Sequence, residues 1–146
     1  MPETYLVDTN IFLEVMLSQS RREDCKKLFA LLRDGKVKGI VTDFSVHSII
    51  VLMDRFKKLE ELKIFLLSLT AYEGLYVYTT SIADEVKAVE AAEESELDID
   101  DAIQYVAALS INADSIISFD KDFDNLKIPR REPAKIMEDH THKHEV

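Results

Sequence analysis

Four short apolar segments separated by longer segments with helical periodicity constrain the fold of this chain more than any other sequence feature. Each short segment has too few apolar residues to form a helix with its own hydrophobic face, but enough for a buried strand. These predicted strands cover residues 5–7, 38–42, 75–78 and 115–119.

The segments between the strands repeat apolar residues at helical spacing. One helix is predicted directly after the first strand. Five more are predicted at residues 20–35, 43–56, 59–71, 81–94 and 98–112. The helix at 20–35 opens with Ser20-Arg21-Arg22-Glu23, which has the form of a capping box. Crossovers of this length cannot form simple hairpins, so the strands are expected to be parallel. We therefore predict an α/β fold, a three-layer α/β/α sandwich with a central parallel sheet of four to five strands.

The length of 146 residues suits one domain with one continuous core. We expect this domain to cover residues 1–132. Residues 133–146 are less regular in pattern, and Pro133 limits them to an edge strand or coil. The sequence therefore predicts an irregular, mobile C-terminal tail over residues 133–146.

The net charge of −10 argues against broad, non-specific binding of nucleic acid, because phosphate contacts usually need a basic surface. Residues 84–101 are rich in acids, whereas residues 21–63 and 121–135 are richer in Lys and Arg, so one acidic face and one mildly basic face are expected. The sequence contains no apolar run of about twenty residues and no signal-peptide pattern. We expect a cytoplasmic protein without membrane association.

Two acidic residues directly follow predicted buried strands. Asp8 follows the first strand and Asp120 follows the fourth. Ligands of parallel α/β sheets gather outside the carboxyl ends of the strands, so both carboxylates are candidate site residues. An alternative for the first position is that Asp8 or Thr9 only caps the following helix, and this stretch alone does not decide between the two interpretations.

A third acid lies in the first turn of a predicted helix. In Leu97-Asp98-Ile99-Asp100-Asp101, Asp98 has the position of an N-cap, which makes Asp101 the third helical residue. If this helix begins at the same edge of the sheet, Asp8, Asp101 and Asp120 converge. Converging carboxylates repel each other, and a divalent cation relieves this repulsion. Oxygen ligands favour Mg²⁺ or Mn²⁺, which can activate water for attack on a phosphodiester.

The motifs that contain these acids resemble those of the PIN domain family, which includes the VapC-type toxins of toxin–antitoxin pairs. They are Leu6-Val7-Asp8-Thr9-Asn10, Asp101-Ala102-Ile103 and the segment 116–123, and the resemblance covers roughly residues 4–128. It implies a metal-dependent ribonuclease that hydrolyses RNA phosphodiester bonds, with an antitoxin protein as a possible partner and a homodimer as the common assembly.

The resemblance also implies the roles of individual residues. The catalytic and metal-binding acids would be Asp8, Asp101 and Asp120, holding Mg²⁺ or Mn²⁺. Six neighbouring residues are candidates for supporting roles: Thr9, Asn10, Ser48, Asp100, Ser118 and Asp122.

One position departs from the family pattern. A Glu is usual in the helix after the second strand, and Ser48 stands there in this chain. A hydroxyl is a poor substitute for a carboxylate ligand. Asp43 at the start of the helix could reach inward instead, and His47 is adjacent. The alternative function is therefore a catalytically weakened or inactive PIN-fold module that acts by binding protein or RNA.

A phospho-acceptor receiver-type domain also gathers acids at strand ends and is a third possibility. Such a domain normally has an acid pair after the first strand and a Lys at the end of a late strand. Here Asp8 is followed by Thr9, and the strand at 115–119 ends without Lys. We therefore place this interpretation last.

Overall fold

The computed structural model describes residues 2–144 and contains a five-stranded parallel sheet. The strands are β1 (Thr4–Val7), β2 (Lys38–Thr42), β3 (Leu75–Tyr78), β4 (Ser115–Ile117) and β5 (Arg130–Arg131). Their order across the sheet is β3-β2-β1-β4-β5. The chain leaves β1 in one direction towards β2 and later returns to the other side with β4. Ligands of such sheets bind where the strand order reverses, which here is the carboxyl edge between β1 and β4.

Helices cover both faces of the sheet. Within residues 2–144 they are α1 (Thr9–Met16), α2 (Arg22–Arg33), α3 (Asp43–Arg55), α4 (Leu59–Ala71), α5 (Ile82–Ser95), α6 (Ile99–Ser110) and α7 (Pro133–His144). Side chains of β1 alternate between two cores, because successive strand residues point to opposite faces. Tyr5 and Val7 pack with α1 to α4 and α7, whereas Leu6 packs with α5 and α6. The predicted three-layer α/β/α sandwich is confirmed.

The start of α2 differs from the capping box expected at residues 20–23. The helix begins at Arg22, and its N-cap residue Arg21 makes no side-chain capping bond. Instead, the buried carboxylate of Glu14 on α1 accepts a hydrogen bond of 2.7 Å from the backbone N–H of Arg21. A tertiary contact thus satisfies a free N–H near the helix terminus, which the local sequence pattern does not reveal.

The C-terminal segment is helical, and the prediction of an irregular tail is wrong for residues 133–144. Pro133 is the first residue of α7, a position where its fixed φ and missing N–H are tolerated. Ile136 is fully buried in the core formed with α1 and α2. Arg131 adds an ion pair of 2.8 Å to Asp139 on α7. Residues 145 and 146, which belong to the predicted tail, lie outside the described residues.

The longest helix of the described residues, α5, has 14 residues. None of the helices within residues 2–144 is long and apolar enough to cross a membrane.

Candidate metal centre

Three acids from distant parts of the chain meet in one pocket at the carboxyl edge of the sheet. Asp8 follows β1, Asp120 lies three residues beyond the end of β4, and Asp101 is the third residue of α6. The pocket is lined by Asp8, Thr9, Asn10, Leu13, Phe44, Ser48, Asp100, Asp101, Gln104 and Asp120. The structure therefore brings together the three acids that the sequence singled out, at the point where the strand order reverses.

One group of clustered carboxylates differs from the expected set of Asp8, Asp101 and Asp120, because it contains Asp122 and not Asp8. One carboxylate oxygen each from Asp101, Asp120 and Asp122 lies within 4.8 Å of the others. Asp98, Asp100 and Asp101 form a second group of the same size, with the first two exposed. Asp122, expected only in a supporting role, is thus near enough to bind the same cation as two of the predicted acids, Asp101 and Asp120.

Asp8 is held by hydrogen bonds to both carboxylate oxygens. Its Oδ1 accepts from the backbone N–H of Thr9 at 2.8 Å, and its Oδ2 accepts from the Ser118 hydroxyl at 2.6 Å. The first of these bonds caps α1, so the capping interpretation is correct as far as it goes. It does not exclude a site role, because each oxygen keeps further lone pairs.

Ser118 connects several residues of the pocket. Its hydroxyl donates to Asp8 and accepts from the backbone N–H of Asp120 at 2.9 Å and from the Asn10 amide at 3.3 Å. Ser118 is fully buried. A single buried hydroxyl therefore fixes the loop after β4 relative to the loop after β1.

Burial and mutual repulsion alter the titration of two of the acids. Burial raises the pKa of Asp8 to about 6, with the charges of Asp120 and Asp100 adding to this and the bonds from Ser118 and Thr9 opposing it. Burial also raises the pKa of Asp101 to about 7, and the nearby charges of Asp100, Asp120 and Asp8 contribute further. These carboxylates are only 6% and 8% exposed. A cation between them would offset the repulsion.

A second polar network below the pocket was not predicted from the sequence. The Thr9 hydroxyl donates to Ser45 on α3 at 2.7 Å, and Gln104 on α6 hydrogen bonds to both Ser45 and Thr42. Ser45, Thr42 and Gln104 are buried. The sequence feature that could have revealed this network is Gln104, a polar residue in an otherwise apolar stretch of α6. Buried polar side chains normally have specific hydrogen-bond partners, so Gln104 indicates a polar partner nearby.

The position of the missing Glu faces the pocket but supplies no carboxylate. Ser48 lines the pocket and its hydroxyl donates to the backbone carbonyl of Phe44, one turn earlier, at 2.9 Å. Asp43 does not line the pocket, since its carboxylate accepts from the backbone N–H and hydroxyl of Thr80. His47 is exposed and also does not line it. Neither alternative acid nor imidazole replaces the Glu.

The donor atoms fit a hard divalent cation. The potential ligands are carboxylate oxygens, with the Asn10 amide and the Thr9 hydroxyl in the same pocket, and Mg²⁺ and Mn²⁺ prefer such oxygen donors. Burial is the main cause of the raised pKa values of Asp8 and Asp101 and the charges of neighbouring acids add to it, so a cation at the site would favour the ionised carboxylates.

Several solved structures have a similar fold. A chain of a toxin–antitoxin complex from Klebsiella pneumoniae matches with a TM-score of 0.67 and 19% identity over 88% of this chain and 97% of its own. The toxin VapC20 of Mycobacterium tuberculosis, described as cleaving the sarcin–ricin loop, matches with a TM-score of 0.69 and 16% identity over 85% and 95%. A chain of VapBC2 from Rickettsia felis, solved with a promoter DNA fragment, matches with a TM-score of 0.66 and 14% identity over 88% of this chain and 98% of its own.

Sequence comparisons give one family and no individual relative. No curated protein matches the chain significantly. The family model of the PIN domain matches residues 5–129, which include Asp8, Asp101 and Asp120 and most of the sheet. The match spans most of the chain, and the sheet order and pocket agree with it. The chain therefore belongs to the PIN domain family.

Proposed function

We propose that this protein is a divalent-metal-dependent endoribonuclease and acts as the toxin of a toxin–antitoxin pair. The observation that carries the proposal is the convergence of Asp8, Asp101 and Asp120 in one pocket at the reversal point of the sheet. RNA is the proposed substrate, and the cytoplasm, as expected from the sequence, is the proposed location.

In this proposal each acid has a distinct task. Asp101 and Asp120, with Asp122 beside them, hold Mg²⁺ or Mn²⁺ through their clustered oxygens. Asp8 adds a carboxylate whose direction is fixed by Ser118 and by the N–H of Thr9. When bound, the cation supplies positive charge that lowers the pKa of water and stabilises charge on the phosphodiester.

The proposed partner is an antitoxin protein. Its support is the fold similarity to chains from a toxin–antitoxin complex and from VapBC2. Homodimer formation, expected from the family resemblance, is also part of the proposal. Co-purification of the chain with the product of a neighbouring gene, followed by loss of RNA cleavage in the complex, would support the toxin assignment.

A second candidate function is favoured by one observation. Ser48 occupies the pocket wall where a fourth carboxylate would normally be, and its hydroxyl bonds to its own helix. With fewer ligands, metal affinity falls. In that case the chain acts by binding RNA or a protein partner without cleaving RNA.

The deciding experiment combines metal binding with RNA cleavage. Mn²⁺ is titrated by calorimetry into the wild type, into Asp8→Asn and into a control, Asp54→Asn, which removes an exposed carboxylate of α3 that does not line the pocket. Cleavage of total RNA is followed with the same samples, with and without excess chelator.

The nuclease proposal predicts saturable Mn²⁺ binding and chelator-sensitive cleavage in the wild type and in Asp54→Asn. Asp8→Asn should lose at least tenfold in metal affinity and most of the cleavage, because an amide lacks the ligand charge. Cleavage that persists in excess chelator would contradict metal dependence. Metal binding without cleavage would favour the binding module.

A further inference from the structure

An RNA strand that enters the acidic pocket meets a strongly unfavourable charge environment outside the metal itself. The chain has a net charge of −10, and among the pocket-lining residues that the structure describes none is Lys or Arg. Phosphates flanking the scissile one need a cation close to the pocket if the strand is to stay bound. Arg130 and Arg21 each contact a residue of the segment between β4 and Asp120.

Arg130 is near the pocket but its charge is already used. Its guanidinium donates to Asp124 at 2.8 Å, to Glu132 at 3.0 Å and to the backbone carbonyl of Ser118 at 3.0 Å. Its side chain is only 12% exposed. Arg130 thus serves the structure of the loop after β4 and offers little to a ligand.

Arg21 is more exposed than Arg130 and has fewer polar partners. Its guanidinium carbon lies 3.5 Å from the ring centroid of Phe119, the residue directly before Asp120. Its side chain is 49% exposed, and within residues 2–144 the one carboxylate at ion-pair distance is Glu132, at 3.8 Å. Glu132 faces Arg21 with only one of its oxygens, because the other accepts from Arg130. Most N–H groups of the Arg21 guanidinium therefore remain available to a ligand.

The backbone of each residue in this contact is hydrogen bonded to a side chain of another segment. The backbone N–H of Arg21 is bound by the buried Glu14, and the backbone N–H of Phe119 donates to Asn10 in the pocket wall at 3.4 Å. A guanidinium held over an aromatic ring can keep N–H groups free for the oxygens of a phosphate. The contact with Phe119 restricts where the guanidinium can lie, which lowers the entropy cost of binding.

We propose that Arg21, stacked on Phe119, binds a backbone phosphate of the RNA next to the scissile one and so positions the strand at the acidic pocket. This inference rests on the proposed function to the extent that RNA is the ligand. Arg21 is a positioning residue: it binds the strand and takes no part in proton transfer.

The test measures binding separately from cleavage. Binding of an end-labelled single-stranded RNA of mixed sequence is followed by fluorescence anisotropy in Ca²⁺ over a series of KCl concentrations, and cleavage of the same RNA is followed in Mn²⁺. The variants are Arg21→Ala, Arg21→Lys and Phe119→Leu. The control, Arg33→Ala, removes an exposed guanidinium that is paired with Asp34 at the other end of α2.

Arg21→Ala is expected to weaken RNA binding about tenfold and to reduce the slope of log K against log salt by about 0.7, the value for one phosphate contact on a single strand. Arg21→Lys should keep the slope with weaker binding, and so should Phe119→Leu, because the charge remains but its orientation is lost. In cleavage, KM should rise with little change in kcat. Arg33→Ala should match the wild type.

Three results would overturn the inference. An unchanged salt slope in Arg21→Ala, with the wild type binding RNA, would show that Arg21 is structural. Equal losses in Arg33→Ala would indicate a general charge effect. Absence of RNA binding by the wild type would remove the inference together with the proposed substrate. RNA binding that depends on Arg21 without cleavage would support the inference while contradicting the nuclease proposal.

Discussion

The hydroxyl of Ser118 donates a hydrogen bond of 2.6 Å to Oδ2 of Asp8, which lies 110 residues earlier in the chain. The two residues follow adjacent parallel strands, β1 and β4, so the bond joins the two loops at which the sheet order reverses. Because Ser118 also accepts the backbone N–H of Asp120, one side chain sets the relative position of two proposed metal ligands.

Removing this hydroxyl should loosen the proposed metal centre. Ser118→Ala leaves one oxygen of the buried Asp8 without its donor and frees the backbone N–H of Asp120. We expect Mn²⁺ affinity, measured by calorimetry, to fall by about 10- to 100-fold, as is typical when a group that orients a ligand is lost. Ser95→Ala, at an exposed serine that bonds within α5, is the control and should bind Mn²⁺ like the wild type. Equal affinity in both variants would contradict the orienting role.

The raised pKa values of Asp8 and Asp101 predict pH-dependent metal binding. Because a ligand must lose its proton before it binds metal, Mn²⁺ affinity should increase as the pH rises through about 6 to 7, the folded-state pKa values of the two acids. Calorimetric titrations at about pH 5.5 and about pH 8 measure this difference. A constant affinity across this window would show that neither carboxylate binds the ion.

The same shifts predict a change in the stability of the metal-free protein. Both folded-state pKa values lie above the ordinary value of 3.8, so the folded state holds these protons more tightly than the unfolded state. The stability contributed by these groups is full below about pH 4 and is lost as the pH rises through about 6 to 7. Asp101→Asn should therefore raise the free energy of unfolding by about 1–3 kcal/mol at about pH 8, with little effect near pH 4. Urea denaturation of both proteins measures this difference, and an Asp101→Asn variant that is no more stable than the wild type at about pH 8 would contradict the prediction.

Ser48→Glu should supply the carboxylate that the pocket lacks. Ser48 lines the pocket with Asp8, Asp101 and Asp120, and a Glu side chain there would extend into the same space. We expect Mn²⁺ affinity to rise about tenfold or more and RNA cleavage to increase, because one more charged ligand binds the ion. Val51→Glu adds the same charge to α3 at an exposed position outside the pocket and should change neither quantity. Unchanged affinity in Ser48→Glu would mean that this position does not limit the site.

The helix α7 should contribute to global stability through its buried face. Ile136 is fully buried in the same core as α2, so Ile136→Ala should lower the free energy of unfolding by about 2–5 kcal/mol. The exposed Thr141 of the same helix offers the control Thr141→Ala, with an expected change below about 0.5 kcal/mol. A loss below about 1 kcal/mol in Ile136→Ala would show that α7 is dispensable for the core.

The sequence by itself determined the elements from β1 to β4 and singled out Asp8, Asp101 and Asp120. The alternation of short apolar segments with helical periodicity is a local property, and it predicted the three helical crossovers that join β1, β2, β3 and β4 and the parallel sheet. Asp8 and Asp120 follow strand ends, and Asp101 lies in the first turn of α6. In a parallel sheet these positions meet at one edge, so the candidate site followed from the same local pattern.

Only the tertiary structure decided which side chains become partners. The bonds of Gln104 to Ser45 and of Asp43 to Thr80 join residues 59 and 37 positions apart, and they depend on which strands are neighbours. The same holds for Ile136 on α7. Its burial in the core stabilises a helix in a segment whose local pattern predicts an edge strand or coil. Periodicity reports how a residue relates to its own helix or strand. Partner choice depends on strand order and on buried groups that must find a donor, an acceptor or an apolar neighbour.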